Sequence, residues 1–234
     1  MRAAVVIPAY NAAASIGATV RSAAAIDGVA QVIVVDDGSY DDTAARAAEA
    51  GATVVRLNRN RGKGAALNEG VRHLPPDADA VLLLDADLGE TAAEGAHLLD
   101  ALVRGEADLA IGVLPAPPRS GGFGLVKRTA ARGVRRLSGY EPRAPLSGQR
   151  ALTRRALEAV VPFAPGFGVE VAMTVRAAWA GMRIAEVPVD MAHRATGRDL
   201  AGFAHRGRQL LHVARTLLAL ALSAAARRRA RQHG

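Results

Sequence analysis

Along the first 114 residues, short uniformly apolar runs alternate with longer segments whose apolar residues recur every three or four positions. Ala3–Ile7, Val32–Val35, Thr53–Leu57, Ala80–Leu84 and Leu109–Val113 have the length of strands. Between them, Ala12–Ala25, Thr43–Ala50 and Thr91–Val103 carry helical spacing. Strands apolar on both faces belong inside a covered sheet, and strand–helix–strand alternation joins parallel neighbours. The expectation is an α/β fold, with a mostly parallel central sheet flanked by helices.

Beyond Val113 the alternation stops. Leu114–Gly124 is rich in Pro and Gly and is expected to form a mobile loop that orders over bound ligand. A basic helix is expected over Leu125–Leu137, an extended piece at "LSGQRALT", a helix over Val169–Ala180 and a strand at "RIAEVPV". From Leu200 the chain reads as one helix with Leu210, Leu211, Val213, Ala214, Leu217, Leu218 and Leu222 on roughly one side, ending in "RRRAR". The expected organisation is one domain over 1–199, in halves 1–114 and 115–199, followed by a tail over 200–234. No repeat of 20–50 residues interrupts this scheme.

The polar residues cluster where strands end. "PAYN" follows the first strand, "DDGS" the second and "DADLGE" the fourth. Open parallel sheets bind ligands at the carboxyl ends of their strands, so three strands deliver polar groups to one edge. Asp85 and Asp87 suit a hard divalent cation, Mg²⁺ or Mn²⁺, which takes one or two protein carboxylates plus phosphate oxygens. Taken alone, the pair reads equally as a solvated turn. "NRGKGAALNEG" lacks the phosphate-loop spacing because Gly64 follows Lys63, and no G-x-G-x-x-G follows the first strand. A Walker-type NTPase and a dinucleotide-binding dehydrogenase are therefore excluded.

Composition narrows the partners. With no cysteine, disulfides, thiolate metal sites and a Cys nucleophile are out, and a reducing, cytoplasmic setting fits. The net charge of +8 is unevenly spread: residues 1–114 hold nine Lys/Arg against sixteen Asp/Glu, and residues 115–234 hold twenty-one against six. A basic pole suits nucleic acid, an anionic membrane or a phosphorylated substrate. Only eight residues are aromatic and no nucleic-acid-binding signature is present, which argues against the first. The first apolar run is too short for the core of a leader. The run from Leu210 to Leu222 is broken by His212 and Arg215 and falls short of the ~20 residues of a membrane span.

The ordered set "VVIPAYN", "VIVVDDGSYDDT", "NRGKGAALNEG" and "LLLDADL" resembles the family 2 glycosyltransferases, inverting enzymes of GT-A fold that take sugar from a nucleotide-sugar donor. That resemblance implies that Pro8 and Tyr10 flank the base, that Asp36 or Asp37 accepts hydrogen bonds from base or ribose, and that Lys63 lies near the nucleotide. It implies that Asp85 and Asp87 face the diphosphate through the metal. Where close relatives carry a glutamine, this chain has Gly89 and Glu90, so Glu90 is the candidate to complete the metal shell.

"LSGQRALTRRAL" and the stretch from "GFGVE" to "HRATGR" resemble the polyprenyl-phosphate mannose and glucose synthases of that family. On that likeness Asp87, Glu170 and Arg150 are the catalytic candidates, and Ser147, Glu186 and Arg194 carry the rest of the match. The implied acceptor is a lipid phosphate, with Arg119, Lys127, Arg128, Arg132 and Arg136 to position it. A hydroxyl acceptor would need a carboxylate base, Glu170. A nucleotidyltransferase would carry a G-x-G-x-R loop after its first strand, which is absent. Peripheral contact with the inner face of a membrane is expected through the tail helix, so cutting the chain after Gly207 should spare donor binding.

Overall fold

The computed structural model describes residues 1–115, 123–192 and 200–232. In chain order the first half holds β1 (Ala3–Ala9), α1 (Ile16–Ala24), β2 (Val29–Asp36), α2 (Thr43–Glu49), β3 (Thr53–Arg56), α3 (Lys63–Gly70), β4 (Ala80–Leu83), α4 (Gly95–Val103) and β5 (Leu109–Val113). There follow α5 (Phe123–Ser138), β6 (Arg150–Thr153), α6 (Arg154–Val160), α7 (Val169–Trp179), β7 (Ile184–Pro188) and α8 (Leu200–Gln232). One seven-stranded sheet runs β3-β2-β1-β4-β6-β5-β7. Every neighbouring pair is parallel except those of β6, which is antiparallel to both β4 and β5.

The strand period of two divides the core. Val5, Ile7, Val32, Val34, Leu82 and Leu84 enter one cluster, while Val6, Ile33, Val35, Val81 and Leu83 enter the cluster on the other face. Each fully buried Val, Leu or Ile contributes on the order of 2 kcal/mol, so a one-residue slip in any of these strands is strongly opposed.

Three features depart from the sequence expectation. Helix α3 was hidden because Leu67 is the one large residue on a buried face otherwise made of Gly64, Ala66 and Gly70: a Cβ on Gly70 would stand 3.0 Å from Val35 Cγ2 and closer still to Val6. The helix thereby lies against the sheet without a conspicuous apolar stripe. Thr91–Val103 is not one helix, since its start belongs to a 3-10 turn over Gly89–Glu94. The strand alternation of the first 114 residues does not complete the sheet, because β6 comes from beyond it and inserts between β4 and β5.

The tail is part of the body. Val213 and Leu220 are buried and Leu210 and Leu217 are half-buried, packed with Val126, Ala130 and Val134 of α5 and Val171 and Val175 of α7. Leu211, Leu218 and Leu222 are exposed. The apolar face expected to be single is split, because at about 100° per residue positions 210, 213, 217 and 220 diverge from 211, 218 and 222. Gly133 makes the α5–α8 approach possible, since a Cβ there would collide with Leu217. No described helix is long and apolar enough to cross a membrane. The expected lid, Leu114–Gly124, falls mostly outside the described residues, as do Arg119 and Arg194.

Candidate active site

The carboxyl end of β2 spends its two adjacent aspartates differently. Asp36 is fully buried; its Oδ1 accepts from the Ser39 N–H at 2.9 Å and its Oδ2 pairs with Arg56 Nε at 3.2 Å. It builds the turn, and of the two aspartates only Asp37 lines the cavity described below. Asp37 accepts from the Arg61 N–H at 2.8 Å and the Gly62 N–H at 2.7 Å, and so pins the approach to α3 beside the end of β1. Ser39 Oγ in turn accepts from the N–H of Asn11, the residue after Tyr10.

At the end of β4, Asp85 is gripped by two chain segments. Lys63 Nζ donates to its Oδ1 at 2.7 Å, and Gln149 Nε2 donates to its Oδ2 at 2.7 Å. The Asp85 N–H returns a bond to Gln149 Oε1 at 3.0 Å, so the glutamine amide holds backbone and carboxylate together. Lys63 also pairs with Glu170 at 2.9 Å, Glu170 standing in the first turn of α7 and nearly buried. Burial works against the Lys63 ammonium, but Asp85 and Glu170 outweigh it and hold its pKa above the ordinary lysine value. Gly148 is required beside this cluster: a Cβ there would stand 2.7 Å from Asp85 Oδ2.

The turn carrying Asp87 is anchored from α1. The Ala86 carbonyl accepts from Ser15 Oγ at 2.9 Å and Thr19 Oγ1 at 3.1 Å, and Thr19 Oγ1 accepts from the Gly89 N–H at 2.9 Å. Asp87 is half-buried and Glu90 exposed. Among the described residues no cluster of three His, Cys, Asp or Glu side chains is placed to hold a metal. Glu90 sits in the first turn of the 3-10 segment Gly89–Glu94 that follows.

Pro8, Tyr10, Asp37, Lys63 and Asp85 line one cavity of about 470 Å³. Asn60, Gly62, Gly166 and His212 complete much of its wall. Arg150 is not among them. It is fully buried, with Nε donating to the Ser147 carbonyl at 2.8 Å and Nη1 to Thr174 Oγ1 at 2.9 Å. Burial pulls the pKa of its guanidinium down to about 10, still charged at neutral pH. Through these bonds Arg150 ties β6 to α7. Ser147 Oγ and Arg150 Nη2 are buried without a partner among the described residues. Glu186 accepts from the N–H groups of Arg143 and Ala144, so it holds the loop leading to Ser147. Lys127, Arg128, Arg132 and Arg136 lie exposed on the outer face of α5 and do not line the cavity.

A protein-family model described as Glycosyl transferase family 2 matches residues 4–162. The chain belongs to that family. Its fold is the GT-A fold: a solved glucosyl-3-phosphoglycerate synthase from Mycobacterium tuberculosis, in complex with Mg²⁺ and UDP, matches with a TM-score of 0.78 at 29% identity, over 94% of this chain and 79% of that one. The same enzyme with Mn²⁺, UDP-glucose and phosphoglyceric acid matches at a TM-score of 0.77 and 31% identity, with the same coverage of 94% and 79%. Glycosyltransferase AglJ of Haloferax volcanii is 36% identical over 200 residues, 83% of this chain and 64% of its own length. Glucosyl-3-phosphoglycerate synthase of Mycolicibacterium paratuberculosis is 33% identical over 198 residues, 73% of this chain and 58% of its own length. This family 2 member thus spans 58–64% of the length of those curated relatives.

Sequence reasoning missed Gln149, Asn60 and His212. Gln149 lies within "LSGQRALT" and His212 interrupts the apolar run Leu210–Leu222, and neither position marks a site residue. For Gln149 and His212 nothing in the local spacing pointed to this site, because the residues they meet there lie far away in the chain, whereas Asn60 lines the cavity beside its near neighbours Gly62 and Lys63.

Proposed function

We propose that this chain transfers a hexose from a nucleoside diphosphate sugar, with inversion and with the help of Mg²⁺ or Mn²⁺, to the phosphate of a polyprenyl phosphate. The observation that carries the reading is the cavity at the ends of β1, β2 and β4, where Pro8 and Tyr10 meet Asp37, Lys63 and Asp85. In it Pro8 and Tyr10 give the base an apolar wall, and Asp37 shapes the floor through the amides of Arg61 and Gly62.

The donor set fits a hard cation. Asp37, Asp85 and Glu170 outnumber Lys63 at this edge, so a diphosphate needs a bridging positive charge to lie there. Asp85, positioned by Lys63 and Gln149, and Asp87 one residue on are the carboxylates that would hold it. When bound, the cation neutralises the departing nucleoside diphosphate without a proton transfer to it. Lys63 has three N–H donors, two of them directed at Asp85 and Glu170, and the third serves a phosphate oxygen.

A phosphate acceptor is ionised at neutral pH and attacks without a general base. That suits Glu170, whose Oε1 is engaged by Lys63 and whose role is to orient that ammonium. The exposed cations of α5 suit an anionic acceptor approaching from outside the cavity. A soluble phosphorylated acid is the second reading, favoured by the likeness to the phosphoglycerate enzymes; Glu170 would then be the base for a hydroxyl.

The test is to incubate the chain with a panel of UDP-, GDP- and other nucleotide-sugars and Mn²⁺, offering a polyprenyl phosphate or 3-phosphoglycerate, and to read products by mass spectrometry. Hexosyl polyprenyl phosphate with release of nucleoside diphosphate is expected. Product on phosphoglycerate alone would overturn the lipid acceptor in favour of the soluble one, and no donor-dependent product on either would sink both.

A further inference from the structure

Helix α8 lies outside residues 4–162, the part matched by the family model, yet it reaches the cavity. Its His212 imidazole lines the same space as Tyr10, Asp37, Lys63 and Asp85. The helix turn that carries the ring is held there by packing. Val213 is fully buried, and Thr216, one turn on, is 8% exposed and lies against Gly168 so closely that a Cβ on that glycine would overlap it. Gly166 adopts φ +63°, and a Cβ built there would stand 2.8 Å from His212 Cε1. The Gly166–Gly168 turn is therefore shaped to admit this helix face, and with it the imidazole.

Among the side chains lining the cavity, Asp37 and Asp85 are acceptors, whereas Lys63 and His212 bring N–H groups suited to an anion. An imidazole offers at least one N–H in either protonation state, so hydrogen bonding to a phosphate oxygen does not require it to be charged. We propose that His212 is a binding residue for the nucleoside diphosphate portion of the donor, supplied by the carboxyl-terminal helix. The inference rests on the donor reading above. It also reverses the expectation from sequence: a chain cut after Gly207 loses this residue together with the buried Val213 and Leu220, and with them donor affinity.

The experiment titrates UDP, GDP, ADP, CDP and dTDP with Mn²⁺ into the full chain by calorimetry, and repeats the best binder with His212→Ala, His212→Gln and Leu211→Ala. Leu211 is the control, an exposed neighbour on the same helix. His212→Ala should weaken binding about tenfold, the size of one lost hydrogen bond to a charged group. His212→Gln should recover part of that affinity, and Leu211→Ala should match the wild type. Nitrogen-15 NMR of the wild-type imidazole, assigned with His212→Gln, should shift on adding the nucleotide, which packing alone would not cause.

Binding by His212→Ala within twofold of wild type, or an equal loss in Leu211→Ala, would overturn the inference while leaving the donor reading in place. Absence of binding by wild type to every nucleoside diphosphate would overturn the donor reading and this inference with it.

Discussion

At the ends of β1, β2 and β4 each cavity residue stands at or just beyond a strand, so the hydrogen-bonded ladder itself sets where Pro8, Tyr10, Asp37 and Asp85 lie. The wall that faces this edge works differently. Lys63 meets Asp85 across 22 residues of chain, and Gln149 meets it across 64, while Glu170 and His212 arrive on α7 and α8. The strand edge is positioned by backbone registry and the wall by side-chain packing. Substitution at the edge should therefore cost chemistry with little stability, and substitution in the wall should cost both.

The largest effect is expected at the edge. Asp87→Ala should lower turnover by about 10²–10³-fold, the loss typical of one strong electrostatic contact in a transition state, with melting nearly unchanged because Asp87 is half-buried. Steady-state assays in buffered Mn²⁺ beside calorimetric melting would check both halves. Wild-type turnover would remove Asp87 from the site.

Lys63→Met tests the join between edge and wall. It leaves Asp85 and Glu170 without their shared cation and should cost about 2–3 kcal/mol, below the usual figure for a fully buried pair because the lysine keeps 23% exposure. Since the folded pKa of Lys63 is raised, its contribution is complete below the unfolded lysine value of ~10.4 and is lost as pH rises through the folded value. The difference between wild type and variant should thus be flat across neutral pH in denaturant titrations. A difference that vanished near pH 7 would contradict the assignment.

Gly168→Ala strikes the wall alone. The new Cβ must displace the buried Thr216, so a loss of about 1–3 kcal/mol is expected, with nucleotide affinity falling as α8 shifts. Unchanged melting would mean that α8 does not pack there.

Gln149 and Arg150 separate the two regions by a single step along the chain. Gln149→Met removes the amide clamp on Asp85 and should reduce turnover about tenfold, one hydrogen bond to a charged group. Arg150→Met loses the bonds to Ser147 and Thr174, so it should lower the melting temperature while sparing turnover per folded molecule. Equal turnover defects in the two variants would return Arg150 to the site.

The smallest effect lies far from the cavity. Asp108 accepts from Arg183 Nη2 at 3.0 Å and from the Arg183 N–H at 2.8 Å, joining the starts of β5 and β7. Arg183 holds its carboxyl below the usual range, so the contribution is present above the unfolded value of ~3.9 and is lost as pH falls through the folded one. Asp108→Asn should melt ~3 °C lower at neutral pH and converge with wild type in acid. Melting curves taken across that range decide it.

The sheet's parallel half was legible because β1, β2, β4 and β5 are apolar on both faces, a pattern that few alternatives share. Helix α3 was not, since Gly64, Ala66 and Gly70 achieve closeness by lacking bulk. Asp37 and Asp85 were legible as strand-end acids, whereas Asp36 and Arg150 carried the right letters in positions that the fold buries.

By itself the sequence determined the strand–helix alternation, the edge on which polar groups collect and the acids Asp37, Asp85 and Asp87, because each follows from periodicity within one local segment. Only the tertiary structure decided which of two adjacent aspartates faces the cavity, that β6 runs antiparallel inside the sheet, and that Gln149, Glu170 and His212 converge on the edge. Those outcomes depend on contacts between segments distant in the chain, whose energies are set by close packing and shared hydrogen bonds, and no local period records them.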